Sequence, residues 1–292
     1  MTNLLKPGKY VVAVSGGVDS IALLNMLSRD KNLELVIAHF DHGIRQDSAE
    51  DTAFVKGLAN SLGLEFVSER EELGPKASEA TARKHRYNFL SKVLNDTKSD
   101  AIVTAHHQDD LIETALLNVL RGTKHKGLVS LKSTVQVKRP LLSMPKSEIK
   151  KYATGNNLKW REDSTNLDLT YRRNQIRAII KKTLNAETRQ KLLAALKDVD
   201  RQSNVIDSLV NEYLTKQQDT HSLSRSEINS MELPEACEIT AGWLRKNGVG
   251  FDKKTIERIV HDSKTLKNGS QIDIQKGYYC LLTRHQIILK QR

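Results

Sequence analysis

"VVAVSGGVDSIALL", Val11 to Leu24, joins an apolar run to two glycines, an Asp and a Ser, and a second apolar run. It reads as strand, tight loop and helix. Gly16 and Gly17 permit positive φ and close backbone approach. Asp19 and Ser20 are good N-cap residues for a helix predicted to begin at Ile21. Such a loop turns several N–H groups towards one spot beside the positive end of a helix, which makes an anion site. No Gly-Lys-Ser/Thr follows, so this is not a Walker A loop. Gly-x-Gly-x-x-Gly is absent too, which excludes the dinucleotide fingerprint.

Outward from this loop, the first 120 residues alternate strand-like and helix-like runs. Strands are predicted at Tyr10–Val14, Leu35–Phe40, Glu65–Ser68 and Ala101–Ala105. Helices are predicted at Ser20–Ser28, Ser48–Leu62, Ser78–Leu94 and Asp109–Leu120. That alternation predicts an α/β fold: a Rossmann-like parallel sheet with helices on both faces. Ligands in such sheets sit beyond the carboxyl ends of the strands. The polar clusters Ser15–Ser20, His39–Arg45 and His106–Asp110 all follow strand ends, so they converge on one rim. From Arg121 to Asn174 the chain is basic and Gly/Ser/Asn-rich, with a strand-like piece at Thr134–Val137. From Arg173 to about Leu214 it reads as helical. "TKQQDTHSLS", Thr215 to Ser224, is a candidate linker. Helical runs near Leu233–Lys246 and Lys254–Asp262 and an alternating end then predict a small α+β C-terminal domain with antiparallel strands.

The chain of 292 residues carries a net charge of +11. Residues 1–120 hold 13 Lys and Arg against 17 Asp and Glu, and residues 183–292 hold 17 against 14. Residues 121–182 hold 16 against 4, so one segment carries the excess and is a candidate surface for a polyanion. No apolar run approaches the roughly 20 residues needed to cross a bilayer, and Met1–Lys9 lacks the apolar stretch of a signal peptide. Cys237 and Cys280 form neither a disulfide framework nor a Cys-x-x-Cys. A cytoplasmic protein with no membrane partner is expected.

Three further clusters carry chemistry. In "AHFDHGIRQDSAED", residues 38–51, His39, Asp41, His42 and Arg45 are placed to frame a nucleotide or a reacting base, with a helix start at Asp47 or Ser48 as the structural alternative. In "TAHHQDDLIET", Asp110 and Glu113 are three apart and share a helix face. They could hold Mg²⁺, bind an ammonium group or accept its proton, or simply complement the helix dipole. Zinc at His106, His107, Asp109 and Asp110 lacks a third well-spaced ligand. In "KASEATARKHRYNFL", from Lys76, Arg83 and Arg86 make one helix face cationic. Tyr152, Trp160 and Tyr171 are stacking candidates for unpaired bases.

"SGGVDS", "HFDHGIR", "AHHQDDLIET", "LLNVLRGT…KGL", "KRPLL" and "EDSTN…YRRNQIR" together resemble the tRNA(Ile)-lysidine synthase family, within the ATP-pyrophosphatase (PP-loop) superfamily. The resemblance is strong over about residues 10–180 and weaker beyond, where the chain is similar to the first of two C-terminal domains found in longer members; a short form without the second is expected. It implies a catalytic domain over residues 1–185 containing a tRNA-facing segment 121–182, a helical connector 186–214, and a small tRNA-binding domain 215–292.

The implied reaction begins with ATP adenylating the C2 oxygen of the wobble cytidine in a CAU anticodon. The ε-amine of free L-lysine then displaces AMP. The resemblance implies ATP binding by Ser15, Gly16, Gly17, Val18, Asp19, Ser20, His39 and Asp41. It gives a catalytic role to Asp19, lysine handling to Asp110, Glu113 and Arg173, and a place near the AMP or the modified base to Arg83. Contacts to tRNA are expected from Arg121, Lys124, Lys126, Arg139, Arg172 and Arg177. Mg²⁺ is an expected cofactor, Asp110 its candidate ligand, and a homodimer is left open. Two other readings remain. A tRNA thiolation enzyme of the same superfamily would need a cysteine pair near the site, whereas both cysteines lie beyond residue 230. A non-catalytic tRNA-binding protein would not need the intact Ser15–Ser20 run or the Asp110 and Glu113 pair.

Overall fold

The computed structural model describes residues 4–43, 48–72, 74, 78–161, 172–217, 219–275 and 277–292. The chain divides into two units, residues 1–197 and 198–292. Arg45, Asp47, Lys76, Tyr171 and the whole of "EDSTN" lie outside the described residues.

In the first unit, strands β1 (Gly8–Ala13), β2 (Leu33–Asp41), β3 (Glu65–Arg70), β4 (Ala101–Val103) and β5 (Val137–Lys138) form one sheet, in the order β3-β2-β1-β4-β5. Every pairing is parallel. Successive side chains of a strand point to opposite faces, and here both faces are covered. Val12, Ile37 and Val103 face helices α1 (Val18–Ser28), α2 (Ser48–Leu62) and α6 (Lys146–Gly155); Val11, Val36 and Ile102 face Phe89, Leu90 and Val93 of α3 (Glu79–Asp96). Burial on both faces is why these strands read as unbroken apolar runs. Each fully buried Leu or Ile here contributes about 1.5–3 kcal/mol.

The order runs outward from β1 to β3, then returns to β4 on the other side. The switch point therefore lies between β1 and β4, and a crevice forms there beyond their carboxyl ends. Helix α4 (Gln108–Leu120) leaves that crevice from β4, followed by a short α5 (His125–Leu128). Helix α7 (Arg172–Thr183) packs Ile176 and Ile180 on Ile112 of α4, and Leu192 and Leu193 of α8 (Ala186–Thr215) join them.

The second unit contains the remainder of α8, then β6 (Ser222–Ser224), α9 (Arg225–Ser230), α10 (Leu233–Lys246), α11 (Lys253–Thr265), β7 (Gln271–Gln275), β8 (Tyr278–Leu282) and β9 (Gln286–Gln291). Its sheet is antiparallel, in the order β6-β9-β8-β7. Val210 and Leu214 of α8 share its core with Trp243, Ile259, Cys237 and Cys280. No helix among the described residues is long and apolar enough to cross a membrane.

Several boundaries differ from those predicted. Helix α1 begins at Val18, because Gly17 is extended (φ −75°, ψ 160°) and its carbonyl accepts the first helical bond from Ile21 N–H at 3.1 Å. Asp19 and Ser20 thus lie in the first turn and do not cap it. Strand β4 stops at Val103, where Thr104 turns its hydroxyl onto His106 Nδ1 at 2.8 Å. The strand near Thr134 is only Val137–Lys138. Part of the expected linker is strand β6, with Ser222 and Leu223 buried.

Candidate active site

The loop between β1 and α1 is held by its own serines. Ser20 Oγ donates to Gly17 O at 2.9 Å and accepts from Ser15 N–H at 3.2 Å. Gly16 has φ +90°, a conformation natural to glycine, and its carbonyl accepts Arg161 N–H at 3.0 Å. Arg161 in turn pairs with Glu50 and Asp51 at the start of α2. In this loop only Gly16 uses positive φ; Gly17, expected to share that role, is the N-cap in an ordinary extended conformation.

Asp19 meets two partners across the crevice. Its Oδ2 lies 2.9 Å from Lys146 Nζ and 3.6 Å from His107 Nε2. Burial of Asp19 favours its neutral form, but His107 and the Lys146 ammonium outweigh this and hold the carboxyl below its ordinary range. Lys146 reaches Asp19 because α6 packs along α1. Ile149 and Ala153 are buried there, Tyr152 Oη donates to Asn25 Oδ1 at 2.9 Å, and Arg29 bonds Asn156. Asp19 Oδ1 is buried and has no hydrogen-bond partner among the described residues.

His107 links the Ser15–Ser20 side of the crevice to the acid pair. It caps α4, and its Nε2 lies 3.5 Å from Asp110 Oδ2, which also accepts the His107 backbone N–H at 3.0 Å. Asp110 Oδ1 receives Arg173 Nη2 at 3.1 Å. Burial would raise the Asp110 pKa; His107, its backbone N–H and the charge of Arg173 bring it below the ordinary carboxylate value. Glu113, 2 % exposed, is gripped from two sides, by Arg173 Nε at 3.0 Å and Arg177 Nε at 2.8 Å. The Asp110 and Glu113 pair is thus a neutralised four-charge network joining α4 to α7.

A cationic group lies on the other side of His106. Arg83 and Arg86 stand over the Tyr87 ring, with Cζ 4.7 and 5.6 Å from its centroid, and Arg139 Nη2 reaches Tyr87 Oη at 3.4 Å. Burial, against the pull of Asp110 and with the help of Arg86, Arg139 and Arg83, pushes the His106 imidazole down to about 3, so it is neutral. On the β2 side, His39 Nδ1 donates to Val14 O at 2.8 Å, which leaves Nε2 as an acceptor without a partner among the described residues. Asp41 accepts from Gly43 N–H at 2.9 Å and Ser48 Oγ at 3.0 Å, so it shapes the β2–α2 turn.

The crevice therefore brings together Ser15–Ser20, Asp19, Asp110, Glu113 and Arg173. Of the residues expected to contact tRNA, Arg177 pairs with Glu113, and Arg139 is 8 % exposed with its guanidinium on Lys132 O and Tyr87. Arg121, Lys124 and Arg172 are exposed. Tyr152 and Trp160 pack against the first unit's core. Lys146 and the bridging role of His107 are not legible in the sequence as site features. Pro145 and Glu148 around Lys146 do form a helix-start signal. Among the described residues no three His, Cys, Asp or Glu side chains cluster as a metal site.

The chain is similar to a tRNA(Ile)-lysidine synthase of Thermus thermophilus, 41% identical over 176 residues, covering 58% of this chain and 34% of that protein. The enzyme of the same name from Rickettsia bellii is 38% identical over 178 residues, 58% of this chain and 41% of its own. These matches span between a third and a half of the relatives' length. The Francisella philomiragia tRNA(Ile)-lysidine synthase is 28% identical over 296 residues, covering 97% of this chain and 74% of its own. Among solved structures, the U34-tRNA thiolase of Methanococcus maripaludis, determined with its [4Fe-4S] cluster, superposes with a TM-score of 0.56 at 17% identity over 68% of this chain and 73% of its own, a likeness of fold alone. A sequence model of the PP-loop domain family matches residues 1–184, spanning the sheet, the Ser15–Ser20 loop and the acid pair, and the chain belongs to that family.

Proposed function

We propose that this chain is an ATP-dependent ligase that joins the ε-amine of free L-lysine to C2 of the wobble cytidine in a CAU-anticodon tRNA. The observation that carries this reading is the continuity of the crevice: Asp19 of the phosphate loop and Asp110 of the acid pair flank the same His107 nitrogen, at 3.6 and 3.5 Å. An activating half and an amine-accepting half thus adjoin. The similarity to tRNA(Ile)-lysidine synthases supports the choice of substrate.

The cytidine O2 attacks the α-phosphorus of ATP, and pyrophosphate leaves. The backbone N–H groups of the Ser15–Ser20 loop and the Lys146 ammonium receive that charge. The orphaned Asp19 Oδ1 suits Mg²⁺, which favours one or two carboxylates plus phosphate oxygens. Asp110 faces Arg173 in the α4–α7 network and is assigned to lysine. Bound Mg²⁺ would neutralise charge building on the phosphates. In the second step the lysine ε-ammonium gives up a proton to solvent or to the departing AMP phosphate, the amine attacks C2, the C2–O2 bond breaks and AMP departs with the O2 oxygen. Free lysine carries an ammonium and a carboxylate, and the α4–α7 network offers carboxylates for the one and guanidiniums for the other. The lowered pKa of Asp110 keeps it ionised to hold the ammonium; it makes Asp110 a weak base.

Cys237 and Cys280 lie in the second unit's core, 2 % and 0 % exposed, and burial pushes the Cys280 thiol up to about 12. Neither is placed for thiolate chemistry, which disfavours sulfur transfer.

Asp110→Asn and Glu113→Gln test the lysine assignment, with pyrophosphate release and lysine transfer measured separately. Adenylated tRNA should form and persist while lysine transfer falls at least about tenfold, the loss of a contact to a charged group. Full transfer in both variants would remove the pair from the mechanism, and loss of adenylation restored by excess Mg²⁺ would reassign it to metal.

A further inference from the structure

Helix α4 ends on two largely exposed apolar residues: Val119 is 57% exposed and Leu120 77%. Single exposed apolar residues are commonplace, but three observations set this pair apart. The turn that presents it is built to hold its shape. Asn118, 9% exposed, donates through Nδ2 to Gly127 O at 2.6 Å and Ser130 Oγ at 3.1 Å, and Thr123 Oγ1 donates back to Asn118 O at 2.8 Å. Gly122 holds φ +68°, and a Cβ on Gly127 would lie 2.6 Å from Thr123 Cβ, so both glycines are required.

The second observation is charge. From residue 114 to residue 147 there are seven Lys or Arg and no Asp or Glu, and Arg121, Lys124 and Lys126 immediately follow the apolar pair. Of these, Arg121 and Lys124 are exposed in the turn next to the pair, and exposed cations beside an apolar tip complement a partner that carries phosphates outside and flat apolar surface inside. The third is distance. Asp110 opens α4 at the crevice and Leu120 closes it ten residues later, about 15 Å away along a straight helix. A strand whose reacting base enters the crevice can place a nearby base of the same loop against the tip.

We propose that Val119 and Leu120 form an apolar wedge for one unpaired nucleobase of the tRNA, in the loop that carries the reacting cytidine. Leu side chains serve as wedges against bases elsewhere in nucleic-acid recognition, and splayed loop bases offer the exposed faces for it. The proposal rests on the tRNA reading above and adds a specificity contact to it.

The test measures binding of the whole chain to an anticodon stem-loop RNA, in parallel with variants of that RNA made abasic at each loop position. Leu120→Ser should weaken binding about tenfold, within the range of one base contact. Leu120→Met should restore most of it. The slope of log affinity against log salt should not change, because an apolar contact releases no counterion. The loss should disappear on the one abasic RNA that lacks the partner base. Unchanged affinity in Leu120→Ser, or an equal loss on every abasic RNA, would overturn the proposal. So would sedimentation showing that wild type self-associates and Leu120→Ser does not, which would make the tip a contact between copies. Lysine incorporation by the wild type is scored independently: RNA binding of the predicted pattern without incorporation would leave the wedge standing and sink the ligase reading.

Discussion

Gly16 and Gly17 are neighbours of identical chemistry, and the sequence offers no way to rank them. The fold separates them. Gly16 sits at φ +90° with its carbonyl tied to Arg161, whereas Gly17 has φ −75° and a Cβ there would meet only Ser15 Oγ at 3.6 Å. Gly16→Ala should therefore destabilise by about 1–3 kcal/mol, the cost of a non-glycine residue held at such a φ. Gly17→Ala should change stability by under about 1 kcal/mol. Urea midpoints of the two variants decide it, and equal values would contradict the assignment. Charged side chains show the same limit. Arg139, Arg172 and Arg177 look alike in a basic segment, yet one is buried against Tyr87, one is exposed and one grips Glu113. Charge counts locate a basic region; which guanidinium turns inward depends on a carboxylate or ring far away in the chain, 52 positions for Arg139 and 64 for Arg177. Lys146 is silent in the sequence for the same reason, since its partner Asp19 is 127 positions distant.

The elements are more legible than the contacts between them. Ser48–Leu62 and Leu233–Lys246 are helices with the ends their patterns predict, and β1, β2 and β3 lie where apolar runs and alternation place them. Periodicity is local, so it survives without tertiary information. Helix α6 gives only a weak signal because its short amphipathic pattern is diluted by Lys, Ser and Glu. Strand β4 reads too long because Thr104 and Ala105 keep strand-like character past the turn. What no local pattern contains is the seam between α4 and α7, where Arg173 spans Asp110 and Glu113. Arg173→Ala should cost about 1–3 kcal/mol, the penalty for leaving buried acceptors short of a donor, with Arg177 still covering Glu113. A urea midpoint unchanged from wild type would show that the seam adds no net stability and serves the chemistry alone.

At the scale of the whole molecule, the parallel sheet and its crevice are readable because strand–helix alternation permits few topologies, and the order β3-β2-β1-β4-β5 places the switch point beside Ser15. The basic segment is equally plain as composition. If it carries the tRNA, affinity must fall steeply with salt as bound counterions are released. Replacing the exposed Arg121, Lys124 and Arg172 together by Ala should reduce the slope of log affinity against log salt by about 2–3, close to one for each phosphate that is no longer neutralised. A slope unchanged in the triple variant would move the polyanion surface off this segment.

In the proposed reaction one crevice activates a tRNA base with ATP and then delivers an amine to it. Incubating the chain with ATP, Mg²⁺, labelled lysine and a CAU-anticodon tRNA tests this most directly. The proposed reaction requires ATP-dependent label in the tRNA, with AMP and pyrophosphate formed in equal amounts and no label in a tRNA whose wobble base is not cytidine. ATP left intact, or consumed with no lysine entering the tRNA, would contradict it.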